Sequence, residues 1–165
     1  MRLKNFKAKL AKLGVNDATK LHITHSPKLS KSMKYKPQSI RFKPHGFWYA
    51  VGFGWLDFAT YDMRGFYADK KLHAFSINTD RLNILKINNI SELIEFDNNF
   101  KHGPDLLSSI NWVKVAEQYD GIEIPTYLRE ARYNYTWYYG WDVASGCVWN
   151  TEKLSIKKVR KNIRK

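Results

Sequence analysis

Cysteine is nearly absent. Cys147 is the only one in 165 residues, which excludes an internal disulfide framework and any cysteine-based zinc site. No apolar run approaches the ~18 residues needed to span a bilayer. The opening MRLKNFKAKL lacks the continuous apolar stretch of a secretory signal. Glycine-rich phosphate cradles are missing as well: neither G-x-x-x-x-G-K-[ST] nor G-x-G-x-x-G occurs, so nothing supports a P-loop or a dinucleotide-binding Rossmann site. There is no G-x-S-x-G nucleophile elbow. The five histidines (His22, His25, His45, His73, His102) form neither H-x-x-x-H nor H-E-x-x-H, so no metal centre is expected. These absences point to a soluble, single-domain, cytoplasmic protein without a transmembrane segment.

Acidic residues are scarce, 15 against 28 Lys and Arg, and the net charge is +13. The excess sits at the ends. Residues 1–45 hold twelve basic residues and one acid, Asp17; residues 153–165 hold seven basic residues and no acid. The stretch between them has nine basic and fourteen acidic residues. Two basic ends on a mildly acidic middle would attract phosphates if they shared a face, with binding that weakens as salt rises. Lysine-rich ends that merely keep a protein soluble give the same composition.

Leu3, Phe6, Leu10 and Leu13 recur at steps of three and four before Gly14, which predicts a basic amphipathic helix packed on its own domain. LHITHS (21–26) reads as a strand, and residues 28–45 as an exposed lysine-rich loop. FWYAV (47–51) opens an aromatic strand. HAFSI (73–77) and NILKI (83–87) suggest paired strands joined by NTDR. SELIEFDNNF (91–100) predicts a helix burying Leu93, Ile94 and Phe96. INWVKVAEQY (110–119) predicts another, burying Ile110 and Val113. GIEI (121–124), TWYYGWDV (136–143) and SGCVWN (145–150) suggest three more strands before a basic tail. The fold class is mixed α+β. The expected boundaries are an N-terminal helix in 1–20, a domain in 21–156 and a basic tail in 157–165.

Aromatic residues are the unusual abundance. Nine of the residues from Phe47 to Tyr67, and eight of those from Tyr127 to Trp149, are Phe, Trp or Tyr. Most must fill a core, but such clusters also line pockets for flat or sugar-like ligands. Beside a basic surface they suit a nucleotide, free or in a strand. Cys147 reads as a small buried residue. Two carboxylates stand in apolar settings: Glu123, whose strand position turns it away from Ile122 and Ile124, and Asp142 in GWDVA. Each is either solvent-facing or held in a pocket.

Four segments, ITHSP (23–27), KPHGFWYAV..GWLDF (43–58), INWVKVAEQYDGIEIPTY (110–127) and WYYGWDVASGCVWN (137–150), together resemble phage and bacterial proteins of the ADP-ribosyltransferase superfamily. The resemblance touches most of the chain beyond residue 20 and does not cover the first helix. It implies a split β-sandwich around a cleft that holds NAD, and transfer of ADP-ribose to a macromolecular target. It places His25 at the ribose, with His22 in reserve and Ser26 beside it. Trp48 or Tyr49 would lie against the nicotinamide. In many relatives the catalytic glutamate opens the final strand, but ASGCVWN carries no carboxylate. Glu123 is the nearest substitute and Asp142 the next. A catalytically silent protein of the same fold, gripping nucleic acid or a protein partner, is the alternative reading.

Overall fold

The computed structural model of the chain describes residues 3–30, 35–63, 65, 71–104 and 108–160. The first helix, α1, runs Leu3–Lys12, and strand β1 covers Lys20–Thr24. The short β2 is Ile40–Arg41, β3 is Phe47–Val51 and α2 is Gly54–Tyr61. Then come β4 (His73–Asn78), β5 (Ile84–Lys86), α3 (Ile90–Phe100) and β6 (Lys101–His102). The chain closes with β7 (Ser109–Asn111), α4 (Trp112–Ala116), β8 (Gly121–Ile124), β9 (Ser145–Val148) and β10 (Ser155–Lys158). Seven strands form one sheet in the order β10-β4-β1-β3-β9-β8-β5, and β2-β7-β6 form a second, smaller one. All pairs are antiparallel except β5 with β8. The architecture is mixed α+β.

Strand alternation gives the large sheet two chemically distinct faces. One carries Leu21 and Ile23 of β1, Trp48 and Ala50 of β3, Ala74 of β4, Ile122 and Ile124 of β8, and Cys147 of β9. The helices cover this face in two clusters. On the β8–β9 side, α3, α4 and the 136–141 turns bring Leu93, Phe96, Trp112, Trp137 and Trp141 onto Ile122 and Cys147. On the β1–β4 side, α1 and α2 bring Phe6, Leu10 and Leu56 onto Leu21 and Ala74. Burying Phe6 and Leu10 holds α1 on the domain by about 1.5–3 kcal/mol each.

The opposite face carries Phe47, Tyr49, Phe75, Ile77 and Val148, and the sheet curls around it. Lys20 on β1 reaches across β3 and β9 to Glu123 on β8, with Lys20 Nζ 2.6 Å from Glu123 Oε2.

Several elements differ from the sequence expectation. HAFSI and NILKI do not form a hairpin: β4 pairs with β1 and β10, whereas β5 pairs with β8 at the far edge. Parallel pairing with β8 needs a crossover, and α3 with α4 supplies it. TWYYGWDV is a run of turns rather than a strand. The second predicted helix starts two residues late: Ile110 lies in β7, Trp112 and Val115 are buried, and Val113 is exposed. In α3 the buried side is Leu93, Phe96 and Asp97, with Ile94 outside. Its cap is Asn89, which accepts from the Glu92 amide at 3.0 Å. Part of the basic tail is strand β10, so the 156/157 boundary falls inside an element. Residues 161–165 of that tail lie outside the described residues.

Gly146 is required by close approach. Tyr49, Gly146 and Glu123 are in register on three neighbouring strands, and the Tyr49 ring lies across the glycine to reach Glu123. A Cβ on Gly146 would sit within van der Waals overlap of the Tyr49 ring and the Ile122 carbonyl. Gly146→Ala is therefore expected to cost about 1–3 kcal/mol by urea unfolding. Combined with Tyr49→Ala it should cost clearly less than the sum of the two; additivity would mean that the ring does not bridge the glycine.

Candidate functional site

A cavity of about 480 Å³ opens on the helical face where the two clusters meet along β1 and β3. Its lining comes from four places. The end of β1 gives Thr24 and His25, β3 gives Trp48 and Ala50, α2 gives Trp55, and the 140–145 segment gives Trp141, Asp142 and Ser145. Lys43, just before β3, completes the wall. The volume is that of a small-molecule cleft.

Three indoles, Trp48, Trp55 and Trp141, contribute to the walls. Trp48 meets Trp141 edge-on, with ring centroids 5.0 Å apart at 66°. Lys43 Nζ lies 5.3 Å from the centroid of the Trp48 ring, within cation–π range. Burial pulls the Lys43 ammonium below its usual range, and the nearby Asp142 carboxylate opposes that shift. Gly140 leaves room for the lysine: a Cβ there would come 2.9 Å from Lys43 Cε. Asp142 Oδ1 accepts from Arg132 Nη2 at 3.2 Å, and Arg132 also donates to the Tyr127 hydroxyl at 2.9 Å. The carboxylate is thus held in place while remaining partly open. Trp141 is 1% exposed, and its indole N–H is a buried donor with no hydrogen-bond partner among the described residues. An orphaned N–H of this kind costs about 1–3 kcal/mol.

The residues singled out from sequence divide between the two faces. His25, Trp48 and Asp142 come together at the cavity. His22 and Tyr49 border it, but their polar ends are spent elsewhere. His22 Nδ1 lies 2.8 Å from the Trp48 carbonyl oxygen and its ring packs on Phe47 at 4.5 Å. The Tyr49 hydroxyl donates to Glu123 Oε2 at 2.6 Å. Ser26 is outside the cavity and donates to the Lys28 carbonyl.

Glu123 does not join His25. It is 3% exposed, lies on the opposite face of the sheet, and is engaged through Oε2 by Tyr49 and Lys20. Lys20 in turn donates to Thr79 Oγ1 at 2.7 Å. Burial, then the Glu123 charge, pushes the Tyr49 phenol far above its usual range. Cys147, wholly buried, has its thiol pushed up by desolvation and is an inert core residue.

Sequence reasoning missed Lys43, Trp55 and Trp141 as lining residues. Lys43 was legible as a cation set immediately before the aromatic strand. Trp55 was not, because α2 itself was not foreseen. Among the described residues no group of His, Cys, Asp and Glu could hold a metal ion, and no helix is long and apolar enough to cross a membrane. Compared with protein-family models, curated proteins and solved structures, the chain has no match in any of the three.

Two expectations follow for the polar groups. Glu123→Ala leaves the buried Tyr49 hydroxyl without its acceptor and the half-buried Lys20 with Thr79 alone, and should cost about 1–3 kcal/mol of stability, read as the urea midpoint; an unchanged midpoint would contradict the network. His22 is held below its ordinary 6.5 by desolvation. Its neutral form is the one the fold prefers, so its contribution is intact above pH 6.5 and is lost as pH falls towards the folded-state value. His22→Asn should flatten the stability profile in that acidic window and leave the neutral side of the profile parallel to wild type.

Proposed function

We propose that the chain is an ADP-ribosyltransferase of split β-sandwich type, binding NAD in the cavity beside Trp48 and passing ADP-ribose to a macromolecular acceptor, protein or nucleic acid. One observation carries this reading. Three of the four segments behind the sequence resemblance meet around a single cavity: ITHSP through Thr24 and His25, KPHGFWYAV through Lys43 and Trp48, and WYYGWDVASGCVWN through Trp141, Asp142 and Ser145. A curled large sheet with a small second sheet is an architecture that a split β-sandwich admits.

The residues present fit the ligand. Indole rings at Trp48 and Trp55 suit flat rings, with the buried Trp141 behind Trp48. Lys43 and His25 supply donors of the kind that hold a diphosphate. NAD brings a glycosidic bond already activated by the positive charge of its nicotinamide. When that bond breaks, its electron pair leaves with nicotinamide, and positive charge grows on the ribose. The acceptor atom then forms the new bond to the ribose carbon and loses its proton to solvent water. Asp142 is the carboxylate that lines the cavity, and Arg132 fixes its orientation. A fixed anion beside developing positive charge lowers the barrier. Glu123, assigned this role by the resemblance, instead serves the fold from the other face.

The second reading is a catalytically silent binding protein. The favouring observation is that the charge of Asp142 is already partly compensated by Arg132.

The test is nicotinamide release from NAD by the purified protein, with melting temperature followed as NAD is added. Wild type should release nicotinamide and gain stability. Asp142→Asn should keep the NAD-induced rise but lose on the order of 100-fold in rate, and Trp48→Ala should lose the rise itself. A rise without turnover would select the silent binder. The absence of both rise and turnover would overturn the NAD reading.

A further inference from the structure

A second concavity, about 940 Å³, lies along β10, an edge strand of the large sheet. Three separate segments build it: residues 27–30, the 78–81 turn after β4, and residues 151–160. Each brings positive charge. Lys28, Arg81, Lys153, Lys158 and Arg160 line the groove, against the acids Asp80 and Glu152. Asp80 is occupied locally by Asn78 Nδ2 at 2.6 Å. Lys158 Nζ donates to the Pro27 carbonyl at 2.6 Å, tying the two banks together. Lys28, Arg81, Lys153 and Arg160 are exposed.

Lysines on an edge strand often serve only to stop other strands from pairing there. That explains Lys157 and Lys158 on β10. It does not explain Lys28, Arg81 and Lys153, which belong to other segments and converge on the same concavity. A lipid surface would want apolar side chains to insert beside the charges. The exposed large apolar residues among those described are Ile40, Phe42, Tyr61, Ile94, Val113, Tyr133 and Tyr139, and none lines this groove. The amphipathic α1 is spent too, since its Phe6 and Leu10 are buried in the domain. Phosphodiester recognition asks for this set instead: several cations with neutral hydroxyl and amide side chains between them. Ser155 supplies such a hydroxyl, while the Asn78 amide is spent on Asp80.

We propose that the groove along β10 binds the phosphodiester backbone of a nucleic acid strand, without reading its sequence. This does not depend on the reaction proposed for the cavity, which lies elsewhere.

The experiment is fluorescence anisotropy of the full chain with labelled single-stranded RNA and its DNA counterpart, together with sedimentation onto phosphatidylserine–phosphatidylcholine vesicles. Four phosphate contacts on a single strand, from Lys28, Arg81, Lys153 and Arg160, give a log–log salt slope of about −2.8, so affinity should fall about 50-fold between ~50 and ~200 mM salt. Arg81→Glu with Lys153→Glu, two exposed positions, should weaken binding and reduce the slope by about 1.4. Circular dichroism should report an unchanged fold, and Asp142→Asn should bind as wild type does. Nicotinamide release without acceptor should be the same in the double variant, which separates failure here from failure of the cavity reading. Equal affinity and slope in wild type and double variant would overturn the proposal. So would no binding of either strand at ~50 mM salt, or adsorption to vesicles alone.

Discussion

The structure turns on a buried carboxylate. Glu123 lies on β8, one strand in from the edge of the large sheet, and side chains from β1 and β3 converge on it. Tyr49 reaches it from β3 by lying over Gly146 on β9, and Lys20 reaches it from β1 while bonding Thr79 at the end of β4. Four strands are thereby drawn around one acceptor. A buried charge is tolerated only when it is paired and hydrogen-bonded, and here both conditions are met on the concave face. The other face is left convex, and its helices divide into two clusters with a gap between them. That gap is the cavity.

This division of labour between faces reassigns the carboxylates. The sheet's alternation sends Ile122 and Ile124 into the helical core and Glu123 to the other side, so a glutamate two bonds from the core never sees the cavity. Asp142 reaches it because the 136–143 segment is a set of turns rather than a strand. A strand would have committed the aspartate to one face by alternation; the turns bury Trp137, Tyr138 and Trp141 in succession and leave Asp142 at the rim. Arg132 then orients it. The positive charge, meanwhile, collects at the far edge of the sheet, where residues 27–30, the turn after β4 and β10 come together.

What was legible in the sequence was mostly what local pattern controls. The spacing of Leu3, Phe6 and Leu10 gave α1, and the position of Glu123 between isoleucines gave its face correctly. The order β4-β1-β3-β9-β8 was not readable, because pairing is decided by which faces must be buried together and not by neighbourhood in the chain. HAFSI and NILKI looked like a hairpin for that reason, although the crossover through α3 and α4 places them at different positions in the sheet. At the cavity, His25 and Trp48 came from the resemblance and Asp142 from its apolar setting as well; Lys43 was legible but overlooked, and Trp55 needed the fold. The misplaced expectation, Glu123 beside His25, failed because linear motif order carries no information about which side of a sheet a residue occupies.

The central claim is that the ligand enters the indole-walled cavity and not the buried network or the basic groove. The six tryptophans allow it to be read directly in a nitrogen-15 spectrum of the indole N–H groups as NAD is added. Trp48, Trp55 and Trp141 line the cavity. The other three indoles donate within the protein: Trp112 to the Arg41 carbonyl, Trp137 to Asp97 and Trp149 to the Tyr119 carbonyl. The account expects the first three resonances to move with saturation, with Trp141 gaining most as its orphaned donor meets a changed environment, and the second three to stay. A spectrum in which none moves, or in which Trp112, Trp137 and Trp149 move instead, would contradict it.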